Sequence, residues 1–84
     1  MDNENTIVFD VNALNEKKVY DTIKDVYYNL EERGYNPTNQ IVGYIISGDL
    51  GYISSYKESR KKIASVDRTT LTEVLLKNFL SWDA

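Results

Sequence analysis

The chain has no cysteine and no histidine among its 84 residues. The first absence excludes a disulfide framework and any thiolate metal site. The second removes the commonest general base and metal ligand. No apolar run approaches the roughly 20 residues that a membrane span requires, and no signal-peptide pattern opens the chain. Both absences point to a cytoplasmic protein with no membrane partner. An excess of positive charge is also missing: 13 acidic residues stand against 10 basic ones, a net charge of −3. Nucleic-acid binders usually carry a basic footprint, so no nucleic-acid partner is expected. No P-loop, glycine-rich nucleotide fingerprint or serine elbow occurs. Glu31 and Glu32 are sequential on a predicted helix and do not face one cavity. The residues therefore predict neither an enzyme nor a metal or cofactor site.

What the chain does have is concentrated between Gly34 and Tyr52, which hold the one proline and all four glycines. Gly34 stands where a helix ends and a left-handed backbone is needed. Asn36 can cap the next helix through its side-chain oxygen, and Pro37 falls at the first helical position, where its missing N–H is no loss. Thr38 to Ser47 is apolar on nearly every side of its second half, which predicts a central, buried helix. Gly48 ends it.

Eighty-four residues make one domain, near the size at which a single core is marginal and oligomerisation helps. Residues 1–15 form a compositional block of their own, read as a flexible acidic tail, with residues 16–84 as one helical domain. Asn15 can cap a first helix from Glu16 to Arg33, on which Val19, Ile23, Val26, Tyr27 and Leu30 share one face. Lysines early and glutamates late in that helix oppose its dipole, so packing must hold it. A connector follows Gly48, in which Tyr52 and Ile53 are expected to touch the core. Ser55-Tyr-Lys-Glu58 fits a capping box and predicts a third helix from Tyr56 to Ser65, with Tyr56 and Ile63 inward. Its outer face carries Lys57, Arg60, Lys61 and Lys62, with Arg68 just beyond. Five basic and two acidic residues give the stretch 57–68 a charge of +3, whereas residues 1–16 carry −4. That asymmetry favours a surface for phosphate or an acidic partner over a merely solvated face. Asp67 can cap a last helix from Arg68 to about Ser81, with Leu71, Val74, Leu75 and Phe79 as its core stripe. Leu76 and Leu80, with Trp82 close by, occupy a second flank. One apolar face too many predicts a homodimer. The expected fold is all-α, a bundle of about four helices behind a flexible tail.

The segments Glu31-Glu-Arg-Gly-Tyr35 and Asn36-Pro-Thr-Asn-Gln-Ile-Val-Gly-Tyr-Ile-Ile-Ser-Gly-Asp49 resemble the signature of the IreB family of regulatory phosphoproteins. The likeness runs over the chain past Asn15 and includes a short motif around Thr6. It implies a dimeric all-α protein of Gram-positive bacteria with a flexible N-terminal tail. Family members are substrates of a PASTA-type serine/threonine kinase and its partner phosphatase. The family's phosphoacceptor threonine precedes a short hydrophobic-aromatic-acidic motif, which Thr6 before Ile7-Val8-Phe9-Asp10 matches. The implied output is control of peptidoglycan precursor supply, through Clp-protease turnover of UDP-N-acetylglucosamine 1-carboxyvinyltransferase. After the central helix the family usually reads G-D-P-A-Y-I-P-R. Here the run is Gly48-Asp-Leu-Gly-Tyr-Ile-Ser-Ser55, without either proline or that arginine.

Three readings follow. The first is a non-enzymatic regulatory protein switched at Thr6. The second is a constitutive helical interaction module with an incidental tail. The third, a helix-turn-helix DNA binder, rests on adjacent helices alone and runs against the acidic balance.

Overall fold

A computed structural model describes residues 11–81, with side chains from Asn15 onward. Its first helix, α1, spans Val11–Glu32 and is the longest element. The helix starts before Asn15, so residues 11–15, expected in the tail, are helical and Asn15 caps nothing. Ala13 and Leu14 are strong helix formers, and once a helix is nucleated each added residue gains a hydrogen bond. The inward face is the one the spacing predicts: Val19, Val26 and Leu30 are buried, while Ile23 and Tyr27 pack against them.

The end of α1 is built by local sequence. Gly34 takes a φ of 90°. Its N–H donates to the Glu31 carbonyl and the Tyr35 N–H to the Leu30 carbonyl, both at 3.0 Å. This is the paired Schellman arrangement, which a left-handed glycine makes cheap. The second helix, α2, spans Pro37–Ser47. The Asn36 side chain accepts from the Asn39 N–H at 3.1 Å, as its cap position predicts. Gly48 closes the helix at φ 74°, its N–H bonded to the Tyr44 carbonyl.

α2 is not buried on all sides. Pro37, Ile41 and Tyr44 face inward, but Val42 is 46% exposed and Ile46 78%. A domain this small has too little interior to enclose a helix completely. A 3₁₀ turn at Leu50–Tyr52 follows, with the Asp49 carboxylate accepting from the Gly51 N–H at 2.8 Å. Ile53 then enters the core completely. Tyr52 stays half exposed because its ring lies across Gly43, where any Cβ would collide with it.

The predicted third helix is broken in two. A 3₁₀ turn at Tyr56–Glu58 precedes a short α3, Ser59–Ala64, and Ser55 makes no side-chain cap bond. Lys57 and Glu58 both adopt left-handed backbone, with φ 51° and 63°. For residues with a Cβ that costs about 1–2 kcal/mol each, so contacts elsewhere must impose the turn. Tyr56 is only partly buried, while Ile63 is fully buried as expected. The last helix, α4, spans Arg68–Ser81, and the Asp67 carboxylate accepts from the Thr70 N–H at 3.0 Å.

The predicted core stripe of α4 is shorter than its pattern. Leu71 and Val74 are buried, but Leu75 is 39% exposed and Phe79 62%. The first turns of α4 meet the core, whereas the last turns run alongside α1, whose Glu16 forms an ion pair with Lys77. The described residues thus form an all-α domain of four helices around one core. That core joins Val26 and Leu30 of α1, Ile41 of α2, Ile53 and Ile63, and Leu71 of α4. No described helix is long and apolar enough to cross a membrane.

Candidate functional site

The last turns of α1 carry Asp25, Asn29 and Glu32, with Arg33 just past its end; Asn29 lies four residues from Asp25 and Arg33 and three from Glu32, so these positions share a face. The segment from Tyr56 to Lys62 lies against it. Lys62 Nζ donates to Asp25 at 2.6 Å and Lys57 Nζ to Glu32 at 2.9 Å. Two cations approach the Tyr56 ring, the Arg33 guanidinium 5.5 Å and the Lys57 ammonium 5.7 Å from its centroid. Hydrogen bonding to Glu32, together with that carboxylate's charge, holds the Lys57 pKa above its ordinary value of 10.5. Both ion pairs are about half exposed, and pairs in such contact with solvent contribute little to stability. Between them Asn29 is buried, and its Nδ2 has no hydrogen-bond partner among the described residues.

The five basic residues expected to share one face divide into two groups. Lys57 and Lys62 reach back to α1, and Lys61 approaches Glu58 at 3.4 Å. The two arginines do something the sequence reading did not anticipate. Arg60 Nε donates to the carbonyls of Leu50 and Ile53, at 3.1 and 2.9 Å. Arg68 Nη1 donates to the Ile45 carbonyl at 2.9 Å. Its guanidinium lies against Gly48, where a Cβ would stand 2.8 Å from Arg68 Cζ. Both arginines therefore fasten the stretch from Ile45 to Ile53, and each spends only part of its five-donor fork. Nothing in the spacing of Arg60 or Arg68 gives these acceptors away, since a carbonyl is offered by every residue type.

The apolar flank of α4 is on the surface. Leu76 is 58% exposed and Leu80 63%. On one side, Leu76 joins Ile45, Arg68 and Thr72 around a shallow depression between α2 and α4. On the other, Leu75 meets Tyr20, Ile23, Tyr27 and Tyr28 in a groove of about 220 Å³ between α1 and α4. Thr6 and Trp82, the remaining predicted positions, lie outside the described residues. Among those described, no cluster of three or more acidic side chains could hold a metal ion.

The described domain thus presents an apolar flank on α4, two arginines bonded to main-chain carbonyls, and two ion pairs that tie Lys57 and Lys62 to α1. The family model described as IreB regulatory phosphoprotein matches residues 4–81. The chain belongs to that family, which is one of regulatory phosphoproteins and not of enzymes.

Proposed function

We propose that this protein is a cytoplasmic, non-enzymatic switch of a Gram-positive bacterium, set by phosphorylation of Thr6. In this reading a PASTA-type serine/threonine kinase adds the phosphate and its cognate phosphatase removes it. The output is peptidoglycan precursor supply, tuned through Clp-dependent turnover of UDP-N-acetylglucosamine 1-carboxyvinyltransferase. The observation that carries the reading is the reach of the family match. It starts at residue 4 and so takes in Thr6 and the Ile7-Val8-Phe9-Asp10 motif that follows it.

A phosphate adds about −1.5 to −2 charges to a segment that is already acidic. The receiving surface we assign is Arg60 and Arg68 with Lys61, since the arginine forks keep donors in reserve. Lys57 and Lys62 contribute less, because each is held at 2.9 and 2.6 Å by a carboxylate of α1, whereas Lys61 approaches its own Glu58 only at 3.4 Å and is the more exposed. Two experiments test the switch. Phosphoproteomics with and without the kinase should find Thr6 modified only when the kinase is present; an unmodified Thr6 in both defeats the proposal. Tagged wild type and Thr6→Glu should co-purify different partners. Identical partner sets, also unchanged on deleting residues 1–12, would favour the constitutive module.

The same reading includes a symmetric homodimer through Leu76, Leu80 and Trp82. Fully burying an exposed leucine is worth about 1.5–3 kcal/mol, a large share of the roughly 5–15 kcal/mol that holds a domain folded. Light scattering after size exclusion should report a dimer for the wild type and a monomer for Leu76→Lys and Leu80→Lys. A wild-type monomer, or dimeric lysine variants, places the contact elsewhere.

A further inference from the structure

Ser55-Tyr-Lys-Glu58 spells the start of a helix, and the chain does not take it. The unused signal is specific: serine at the cap position, glutamate three residues on, and a helical run to Ala64. In the observed form the Ser55 side chain caps nothing. Lys57 and Glu58 instead occupy consecutive left-handed positions, which residues with a Cβ rarely adopt and almost never in pairs.

We infer that residues 55–58 are a two-state clasp. One state is the broken form described above. In the other, a continuous helix runs from Tyr56 into α3, with Ser55 as its cap. The continuous form removes both left-handed residues and satisfies the local sequence. The broken form survives because contacts to the end of α1 and within the segment hold it. Lys57 is latched to Glu32 at 2.9 Å, and the Tyr56 ring is contacted by Arg33 and by Lys57. The buried Ser59 hydroxyl donates to the Tyr56 carbonyl at 2.7 Å.

Asn29 is an independent sign that the closure is imperfect. It lies one turn before Arg33 on the stripe that faces this segment, and its buried Nδ2 has no acceptor among the described residues. A well-matched interface leaves few such groups. The two states differ in where Lys57 belongs. In the broken form it serves α1. In the continuous helix it stands one turn from Lys61 on the same face, and its bond to Glu32 is released. The clasp therefore decides how many cations the α3 face offers an acidic partner. The inference does not depend on Thr6, and the test below reads the unphosphorylated chain.

The experiment is backbone relaxation dispersion on the full chain, read at the amides of Ser54 to Arg60, where microsecond-to-millisecond refolding of a short segment appears. Wild type should show exchange confined to this segment. Glu58→Gly, which leaves the Lys57 bond to Glu32 in place, favours the broken form, because glycine takes left-handed backbone freely; exchange should diminish and the melting temperature rise. Ser55→Ala should leave the melting temperature unchanged and lower the minor population about five-fold, the usual effect of losing a cap. Glu32→Gln should raise that population. Flat dispersion in the wild type overturns the inference, as does a glycine variant that melts lower. Exchange indifferent to Ser55→Ala would mean that the minor state is not the capped helix, and would equally sink it.

Discussion

Left-handed backbone occurs on both sides of the core, and the two occurrences have different causes. At Gly34 and Gly48 the residue is glycine, the neighbouring amides are satisfied, and a cap signal follows or precedes. At Lys57 and Glu58 the same region of backbone space is filled by two long charged side chains. The first pair is written locally: a reader of eight residues can place each turn. The second is held in large part from a distance, by the Lys57–Glu32 ion pair and the Arg33 contact on the Tyr56 ring, with the buried Ser59 hydroxyl adding a local bond. Local encoding makes a turn robust and legible. Imposed geometry makes it conditional on the rest of the fold.

The largest expected effect tests the imposed half. Because α3 is six residues long and has no side-chain cap, its position hangs on the fully buried Ile63. Ile63→Ala should cost about 2–5 kcal/mol in urea unfolding. A loss under about 1 kcal/mol would mean that α3 is held by its own sequence after all. Next come the glycines. Gly48→Ala should lose about 1–2 kcal/mol from its φ and a further increment by crowding Arg68. Gly34→Ala meets open space and should lose only the backbone part. Equal losses would show that the Arg68 contact gives way freely.

Smaller again is a direct contrast between two cap positions. Asn36→Ala should cost about 1 kcal/mol, a fall of about 4–8 °C in melting temperature for a domain of this size. Ser55→Ala should leave stability unchanged, because its side chain caps nothing. If both fall alike, the distinction between the two regions collapses. The smallest effect is electrostatic. The Lys57 pKa is raised, so the contribution of its bond to Glu32 is fully present below 10.5 and is lost as pH climbs through the higher folded value. Since Lys57 is solvent-exposed, a pH titration should show a slight loss of stability above 10.5 that is absent in Glu32→Gln. An equal loss in that variant would assign it to another group.

This contrast also explains what was legible. The α1 face, the α2 boundaries from Asn36 to Gly48 and the Asp67 cap of α4 follow from spacing and cap chemistry, and the structure has them. Asn15 misled because a good cap residue is also tolerated inside a helix whose neighbours propagate well. Leu75 and Phe79 misled because periodicity says which face is apolar, not how far the core extends beneath it. The cations on and after α3 were found by charge alone. Their partners were hidden, since Asp25 and Glu32 lie more than twenty residues away along the chain and the arginines end on main-chain oxygens.

Those arginine bonds have a consequence for variation. Arg60 and Arg68 each hold a peptide carbonyl, and peptide carbonyls belong to no particular side chain. Ile45, Leu50 and Ile53 can therefore be exchanged, as far as these bonds are concerned, without any compensating change at the donor. The constraint is one-sided: lysine has no planar fork to replace the guanidinium, while the acceptors are indifferent to identity. Pairs of this kind leave no trace of matched substitutions between two columns of related chains. The fastening of the 45–53 stretch would be invisible to any method that infers contacts from paired changes, however many relatives were compared.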